Sequence, residues 1–565
     1  MRQLIRNARI VTGDGETEPF AGDVLLDGER IARLGSVPPG EAKGADRTVD
    51  ARGRMLAPGF LDVHNHGALG GTRLGAAGLP VACEMALRAG VTRRVCGVDG
   101  LSPAPVAPEQ RQDYADTLRS LDGDIGEAWS WSTVPEFFAW HAGRSVTDLG
   151  LHLGHSAVRR FVMGNAPRAA TPAELAAMQA VVRREAPHTL GLSTGLIYNP
   201  AAYADGAELA ALLRAFNEVK PGALFPHIRS ESSNVVPALK EAVQAAVDGG
   251  GGFGMEHTKI AGERNADRFP AVQALLDDAQ GATWAMENMY PYTAGSTTGD
   301  GIFPPQFRAG TRGEFLARLR DPAVRRAMYE WMAGDTTQWE NFVAFSGGLK
   351  GIQVAGVLPG ASERFLGRRL SEVAAAAGAP DPDSFPAYDA VFDFFVANRL
   401  DVTIISHYGN EPIMERFFRR KTMAICTDGL MPGPGQKPHP RTLGSFPRAL
   451  RMARELGIPP AEIVHRMTVM PSRFLRLESP TLRPGADASL VLFDWEAVRE
   501  RNSYEDPAVP PEGIGHVWVH GTPVLVEGEL RVPERFGGRV LSTVPQGGRT
   551  ELGHPAPGQP APSGM

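Results

Sequence analysis

The chain has 565 residues, of which 43% are hydrophobic and 22% charged, and its formal net charge is −6 at pH 7. A chain of this length is too long to fold around one hydrophobic core of ordinary size, so we expect a large domain together with at least one smaller domain. The weakly acidic charge balance does not favour nucleic acid or an anionic membrane surface as a partner.

The N-terminal residues alternate apolar and polar side chains as a strand does, without the uninterrupted apolar core of a secretory signal. Apolar runs elsewhere are interrupted by charges within about a dozen residues, short of the roughly 20 that span a bilayer. The three cysteines, at positions 83, 96 and 426, are too few and too distant for a disulfide framework. We therefore expect a cytoplasmic protein without a transmembrane helix, and we leave open whether it forms a homo-oligomer.

Two β-rich regions flank a mixed α/β part of the chain. Residues 1–57 and 478–542 both consist of short strand-like runs separated by turn dipeptides. This pattern predicts one small β-domain that is built from both termini. The remaining residues, 543–565, are rich in Pro and Gly and nearly free of large apolar side chains, which predicts a disordered tail.

Residues 58–477 alternate short apolar runs with helical segments rich in Ala, Leu and Arg. The candidate strands are Gly59–Val63, Val91–Cys96, Leu149–Leu153, Leu190–Leu192, Ala223–Phe225, Phe253–Met255, Val402–Ile405 and Thr422–Ile425. Alternation of strand and helix over roughly 400 residues predicts a parallel closed barrel of the TIM type. Residues from about 290 to 347 break this rhythm, and we interpret them as an insertion that could cover the active site.

The first chemical motif is the HxH pair in PGFLDVHNHG. Side chains two apart on a strand point the same way, so His64 and His66 project together, as two ligands of one metal ion must. In a chain with 14 histidines such a pair also arises by chance on a solvated loop. Its place at the end of an apolar strand favours the metal site, because barrel active sites are built at strand ends.

Three more polar side chains follow predicted strands. His227 comes after ALFP and His257 after GFGME. A single histidine there is more often structural, but four in the same topological position favour a metal site. Asp428 closes the last predicted barrel strand in TMAICTDG, where it is either a helix N-cap or a base for a zinc-bound water.

Six blocks carry a family resemblance in the order of the chain. They are HNH after PGFLDV, GLSTGLIYNP at 191–200, HIRSE at 227–231, EHTKIAG at 256–262, YPYTAGST at 290–297 and TDGL…KPHPRTLGSFPR at 427–448. Together they resemble the D-aminoacylase branch of the metal-dependent amidohydrolase superfamily. The resemblance implies a deacylase of small N-acyl-D-amino acids with a (β/α)8 barrel, a β-sandwich made from both termini, and one or two zinc ions or other divalent metals.

The resemblance also implies residue roles. His64 and His66 would hold one metal ion, and His227 and His257 the other. Asp428 would be the catalytic acid/base and would lie against the metals.

The substrate carboxylate would be held, on the same grounds, by Tyr198, Arg441, Tyr290 and Ser296. A guanidinium binds a carboxylate through two parallel hydrogen bonds, which supports Arg441 in particular. The alternative for Arg441 is an ordinary surface arginine.

The bridging position departs from the family pattern, which places a metal-binding cysteine in a G-N-C-G-x-S-x-A-P block. Here the stretch is VTRRVCGVDGLSPAP. Alignment without gaps on Ser102, Ala104 and Pro105 sets Asp99 opposite that cysteine and leaves Cys96 inside the strand. We predict that Asp99 bridges the metals and that Cys96 is a small buried residue. A carboxylate is a harder ligand than a thiolate and should admit manganese or cobalt more readily.

Other assignments stay open at this stage. Glu231 and Lys259 lie close to metal histidines in sequence, and each is either a substrate or metal-orienting group or a member of a structural ion pair.

One rival function is hydrolysis of cyclic amides or lactones, as in hydantoinases or dihydroorotases. Those enzymes usually bridge their metals with a carboxylated lysine, for which no lysine stands at the corresponding strand end. A second rival is a non-catalytic scaffold, against which the retained histidines and Asp428 argue.

Overall fold

The computed structural model of the chain is a mixed α/β structure, and it describes residues 1–70, 73–123, 129–334, 339–431, 433 and 435–543. The predicted tail, apart from Thr543, lies outside these residues. The strands of the described residues are β1 (Arg2–Ile10), β2 (Phe20–Asp27), β3 (Arg30–Gly35), β4 (Arg47–Asp50), β5 (Met55–Pro58), β6 (Phe60–Asp62), β7 (Val91–Cys96), β8 (Asp148–Leu151), β9 (Leu153–Gly154), β10 (Leu192–Gly195), β11 (Ala223–His227), β12 (Gly252–Met255), β13 (Ala285–Met289), β14 (Ala294–Thr298), β15 (Ile352–Gly356), β16 (Thr403–His407), β17 (Met423–Ile425), β18 (Leu490–Phe493), β19 (Ile514–Val519), β20 (Thr522–Val526) and β21 (Glu529–Leu530).

The α-helices of the same residues are α1 (Pro39–Lys43), α2 (Val81–Arg88), α3 (Arg111–Asp122), α4 (Val134–His141), α5 (His155–Met163), α6 (Pro172–Glu185), α7 (Gly206–Asn217), α8 (Val235–Asp248), α9 (Phe269–Ala282), α10 (Arg312–Arg318), α11 (Pro322–Ala333), α12 (Phe342–Phe345), α13 (Leu370–Ala376), α14 (Phe385–Ala397), α15 (Glu411–Phe418), α16 (Arg441–Glu455), α17 (Pro460–Met467) and α18 (Val469–Phe474). None of these helices combines the length and the apolar character needed to cross a lipid bilayer.

Local sequence signals set where several helices begin, and α6 is an example. The hydroxyl of Thr171 accepts from the Glu174 backbone N–H, and the Glu174 carboxylate accepts from the Thr171 N–H. This capping box, with Pro172 at the first helical position, satisfies N–H groups that the helix leaves unpaired. Met178 and Val182, one turn apart, are buried on the inner face.

Both ends of the chain contribute to one nine-stranded sheet in the order β21-β20-β19-β18-β5-β1-β2-β3, with β4 paired to β1. Strand β1 runs antiparallel to β2 and parallel to β4 and β5, while β5 pairs antiparallel with β18. Several buried side chains on this sheet, including Ile10, Leu56, Leu492 and Trp518, form one apolar cluster. The terminal regions therefore share one apolar cluster, while other buried side chains of the same sheet, such as Met55 and Val517, belong to the larger cluster of the middle region.

The strands of the middle region form two parallel sheets, β6-β7-β8 and β9-β10-β11-β12-β13-β17. Only His152 separates β8 from β9 along the chain. At the other edges, the N–H of Asp428 after β17 donates to the C=O of His64 after β6, at 2.8 Å, and the N–H of His66 donates to the C=O of Gly429, at 3.0 Å. Because neighbouring strands are parallel, their carboxyl ends meet on one side.

A third sheet, β14-β16-β15, is antiparallel and lies in the chain between β13 and β17. The candidate strand Val402–Ile405 corresponds to β16 and therefore belongs to this sheet rather than to the parallel strands. A short apolar run does not reveal its partner, which explains the difference. Strand β13 was not anticipated from the sequence. Residues from this third sheet and its helices share a separate apolar cluster that includes Phe303, Phe392 and Phe395.

Candidate active site

The six side chains predicted to bind metal all stand at the carboxyl ends of parallel strands. His64 and His66 follow β6, Asp99 follows β7, His227 ends β11, His257 follows β12 and Asp428 follows β17. Three of them have positive φ angles: Asp99 at 53°, His257 at 33° and Asp428 at 46°. Non-glycine residues rarely adopt this conformation, and such strain concentrates at functional sites. The backbone is therefore shaped to aim these side chains at one point.

The six side chains form two overlapping clusters that share Asp99. One contains His64, His66, Asp99 and Asp428, the other Asp99, His227 and His257, and within each cluster one ligand atom per residue lies within 4.8 Å of the others. Asp99 Oδ1 is 3.1 Å from His257 Nε2 and 3.6 Å from His227 Nδ1, while Oδ2 is 3.5 Å from His66 Nε2. Each of the six residues is at most 5% exposed. A carboxylate common to both clusters occupies the place where the alignment puts the bridge.

Cys96 belongs to neither cluster. Its thiol faces the Asn65 side chain, with Sγ 3.7 Å from Oδ1. Complete burial raises the pKa of the Cys96 thiol to about 12. Because the thiolate is the form that binds metal, this environment supports the choice of Asp99 over Cys96.

The clusters contain polar atoms that the protein itself does not satisfy. Among the described residues, neither ring nitrogen of His64 or of His227 has a hydrogen-bond partner, and the same holds for both carboxylate oxygens of Glu256. His64 Nδ1 is 3.0 Å from Glu256 Oε1, but not in hydrogen-bonding geometry. Buried polar atoms in folded proteins are nearly always paired. Unpaired imidazole nitrogens facing carboxylates are the donor set of a divalent cation such as zinc.

The charges of the clusters favour a bound cation. Burial lowers the pKa of His66, but the carboxylates of Asp428 and Asp99 outweigh it and raise the pKa to about 10. His257 behaves in the same way, because Glu231 and Asp99 raise its pKa to about 10 against burial and Lys259. Carboxylates that hold protons on buried imidazoles can hold a cation in their place.

Glu231 and Lys259 contact the second cluster. The Lys259 ammonium is 2.6 Å from Glu231 Oε1 and 2.8 Å from His257 Nδ1, while the other nitrogen of His257 faces Asp99. Burial raises the pKa of Glu231, but Lys259, His227 and His257 outweigh it and hold that pKa well below its usual range. Lys259 and Glu231 therefore fix the orientation of the predicted ligand His257 through its Nδ1, the nitrogen that does not face Asp99.

Arg441 is 1% exposed and contacts Asp428 rather than the surface. Its Nη1 lies 2.8 Å from Asp428 Oδ2, and Nη2 donates to the C=O of Ser296 at 3.0 Å. The guanidinium lies over the Tyr290 ring, 4.4 Å from its centre. Within the part of the chain that the structure describes, the buried Nε has no hydrogen-bond partner, so its N–H can donate to a ligand.

No protein-family model matches the chain. The chain is 29% identical over 538 residues to the D-aminoacylase of Alcaligenes xylosoxydans xylosoxydans, covering 94% of this chain and 95% of that protein. It matches the crystal structure of N-acyl-D-glutamate deacylase from Bordetella bronchiseptica, complexed with zinc and a phosphonate inhibitor, with a TM-score of 0.75 and 26% identity over 96% of this chain and 99% of that chain. A D-aminoacylase structure with a binuclear metal centre matches with the same values.

The chain is a homologue of the D-aminoacylases. The family resemblance of the six sequence blocks is thereby confirmed. The zinc in one structural neighbour and the binuclear centre in another also agree with the buried His and Asp clusters of this homologue.

The residues predicted to bind substrate line one cavity with Asp99, His227, His257 and Asp428. The cavity is bordered by Tyr198, Tyr290 and Ser296 as well as Lys259 and Arg441. The hydroxyl of Ser296 donates to the C=O of Ile404 at 2.8 Å, so Ser296 supports Arg441 through its own carbonyl.

Several residues of the site were missed by sequence reasoning. Glu256 directly precedes His257, and its place at the end of a predicted strand was the available signal. Asn288, whose side chain accepts from the His257 N–H at 2.7 Å, lies on the unanticipated strand β13. Phe342 and Phe345 of the D-aminoacylase homologue also line the cavity, and they come from the insertion, where no local motif marks them.

Proposed function

We propose that the chain is a metal-dependent hydrolase that cleaves the linear amide bond of N-acyl-amino acids, specifically of N-acyl-D-amino acids. The observation that carries the proposal is the pair of buried clusters sharing Asp99, with unpaired nitrogens on His64 and His227. Arg441 lies beside them with a free buried N–H, which supplies a binding group for the substrate carboxylate. The activities named for the homologues support the same reaction.

The donor set fits one or two zinc ions, although a bridging carboxylate also admits other divalent metals. His64, His66 and Asp428 would hold one ion, His227 and His257 the other, and Asp99 would contact both. When bound, the metal would lower the pKa of a water molecule and polarise the acyl carbonyl.

Asp428 is the proposed catalytic acid/base. Its Oδ1 lies 3.5 Å from His64 Nε2 and 3.3 Å from His66 Nε2, while Oδ2 is held by Arg441. Burial raises the pKa of Asp428, but Arg441 and His64 outweigh it and hold that pKa well below its usual range. The carboxylate is therefore ionised near neutral pH, so Oδ1 can take a proton from the attacking water and return it to the departing amine nitrogen.

The substrate is oriented by the groups around Arg441. The unpaired Nε of Arg441 is the donor for the substrate carboxylate. The hydroxyl of Tyr198 lies 2.7 Å from Thr297 Oγ1 on the cavity wall, where it can turn toward the same carboxylate. Tyr290 holds the guanidinium in place from one face, because a cation is attracted to an aromatic ring.

We further infer that the two parallel sheets form one closed (β/α)8 barrel, residues 58–477. The continuity of β8 with β9 and the backbone bonds between the ends of β6 and β17 support this closure. We also infer that the terminal sheet is a β-sandwich domain formed by residues 1–57 with 478–542. The apolar cluster that side chains of both terminal regions share supports that division.

The test is an assay of N-acetyl-D-phenylalanine, its L enantiomer and a hydantoin with the zinc-loaded protein. We expect release of the free D-amino acid, much slower hydrolysis of the L compound, and no ring opening of the hydantoin. Preferential opening of the hydantoin would replace the proposal with cyclic amide hydrolysis. No hydrolysis of any compound by folded, metal-loaded protein would leave the scaffold alternative.

A further inference from the structure

Glu340 is a buried carboxylate in the insertion, 5% exposed. Its Oε2 accepts hydrogen bonds from the hydroxyls of Ser230, at 2.6 Å, and Ser232, at 2.7 Å, and its Oε1 accepts from the N–H of Glu231, at 3.1 Å. No ion-pair partner of Glu340 is found in the described part of the chain. Burial, with a contribution from nearby Glu231, raises the pKa of Glu340 to about 7. Burying a carboxylate without a cation is costly, so this arrangement needs an explanation.

All three donors to Glu340 belong to the short segment 230–232, whose middle residue faces the metal cluster. The Glu231 carboxylate contacts the Lys259 ammonium at 2.6 Å and lies 2.9 Å from His257 Nδ1. The Glu231 C=O accepts from the N–H of Ala261 at 2.7 Å. The segment is therefore held between Glu340 on one side and the residues that follow β12 on the other.

The residues that follow Glu340 form part of the cavity wall. Asn341 caps α12, where its side chain accepts from the Ala344 N–H at 3.0 Å, and its Nδ2 donates to the C=O of Met332 at 2.7 Å. This short helix carries Phe342 and Phe345, which line the cavity. One carboxylate thus joins the aromatic wall of the insertion to the segment that holds Glu231.

We infer that Glu340 is a positioning residue for the active site: it fixes the 230–232 segment, so that Glu231 holds Lys259 and His257 in place beneath the wall formed by Phe342 and Phe345. Glu340 does not touch the reacting atoms and acts through Glu231. The inference rests on the proposed function for its kinetic consequence, but the contact itself can be tested without turnover.

The first test compares E340A with E340Q and with E330Q, a change at an exposed glutamate on α11 of the same insertion. Alanine removes both acceptor oxygens and therefore all three hydrogen bonds, and we expect kcat/KM to fall by roughly 30-fold. Glutamine keeps an acceptor for the Glu231 N–H, and the serine hydroxyls can rotate to accept from its amide, so we expect a loss within about threefold. E330Q should match wild type. Wild-type kcat/KM in E340A would overturn the inference.

A double-mutant cycle separates positioning from general destabilisation. If Glu340 acts through Glu231, E340A should lower kcat/KM much less in the E231Q background than in wild type, because the coupled contact is already lost. Equal losses in the two backgrounds would mean that Glu340 is merely structural.

Hydrogen exchange supplies a readout that does not depend on turnover. In E340A the Glu231 N–H loses its acceptor, so peptides covering 228–234 should exchange faster than in wild type and E330Q, with or without zinc. Unchanged exchange would overturn the inference. If wild-type protein hydrolyses no N-acyl-amino acid while E340A still accelerates this exchange, the proposed function fails and the positioning contact stands.

Discussion

Two clusters of histidine and aspartate lie at opposite ends of the parallel strands, and they are bonded differently. Near the start of β8, His520 Nε2 lies 2.8 Å from Asp148 Oδ1 and His520 Nδ1 lies 2.8 Å from Asp487 Oδ2, so both ring nitrogens have a carboxylate partner. At the carboxyl ends, both ring nitrogens of His64 and of His227 are unpaired. The same residue types therefore form a completed network in one place and an unsatisfied ligand set in the other.

This difference shows that the residue types in a cluster do not by themselves identify a metal site. In the completed cluster, His520 and Asp487 belong to the terminal region and Asp148 to β8, so the network joins the two parts of the molecule. In the unsatisfied cluster, Asp99 is shared among several histidines. We expect the first cluster to affect stability and the second to affect metal binding and turnover.

The largest expected effect comes from Asp428→Asn. An amide cannot take a proton from water, so turnover should fall by roughly 1000-fold or more. Metal content should stay near wild type, since most of the ligands remain, and steady-state kinetics with elemental analysis checks both. Asp487→Asn in the completed cluster is the matched control and should keep full activity. Loss of metal together with activity in Asp428→Asn would mean that Asp428 is mainly a ligand.

The next effect concerns the shared ligand. Asp99→Ala should lower metal occupancy more than Cys96→Ala does, because Asp99 belongs to both clusters and Cys96 to neither. Elemental analysis after dialysis against metal-free buffer measures the difference. The opposite order would show that the gapless alignment misplaces the bridge.

A smaller effect concerns the charge of the substrate side chain. The cavity cations Lys259 and Arg441 already contact Glu231 and Asp428, and Phe342 adds an apolar wall. A second substrate carboxylate would meet these anions, so N-acetyl-D-phenylalanine should exceed N-acetyl-D-glutamate in kcat/KM by roughly tenfold. A preference for the glutamate compound would contradict this view of the cavity.

The smallest effect is a pH-dependent change in stability in His520→Gln. Burial lowers the pKa of His520, but Asp148 and Asp487 outweigh it and raise the pKa to about 9. A raised pKa stabilises the fold fully below the unfolded value of 6.5, and this stabilisation is lost as pH rises through about 9. Denaturant unfolding should give a deficit on the order of 2 kcal/mol at pH 6 that shrinks as the pH rises above 6.5 and has nearly disappeared once it passes about 9. A deficit independent of pH would contradict the ionic role.

The candidate site was largely predictable, because its signal is local. A polar residue directly after an apolar strand, as at His227 and His257, can be recognised without knowledge of long-range contacts. Asp99 followed from the alignment of neighbouring residues. Strand β7 has the predicted bounds, Val91–Cys96.

What could not be predicted depends on contacts between distant residues. Strand β13 contains Glu287 and Asn288, both buried, and Glu287 is held by Arg420 at 2.9 Å from far along the chain. Because polar residues stand in the middle of β13, its sequence does not predict a buried strand unless the contacting residues are known. The hydrogen bond from Ser230 to Glu340 likewise joins residues 110 positions apart, and neither segment contains a sequence pattern that predicts the other as its partner.

The most direct test of the central claim is a zinc titration of the metal-free protein with turnover of N-acetyl-D-phenylalanine as the readout. The unsatisfied cluster predicts negligible activity in folded, chelated protein and recovery as about one equivalent of zinc binds. Full turnover by chelated protein, or less than about half an equivalent of bound metal in folded protein supplied with zinc, would contradict the account.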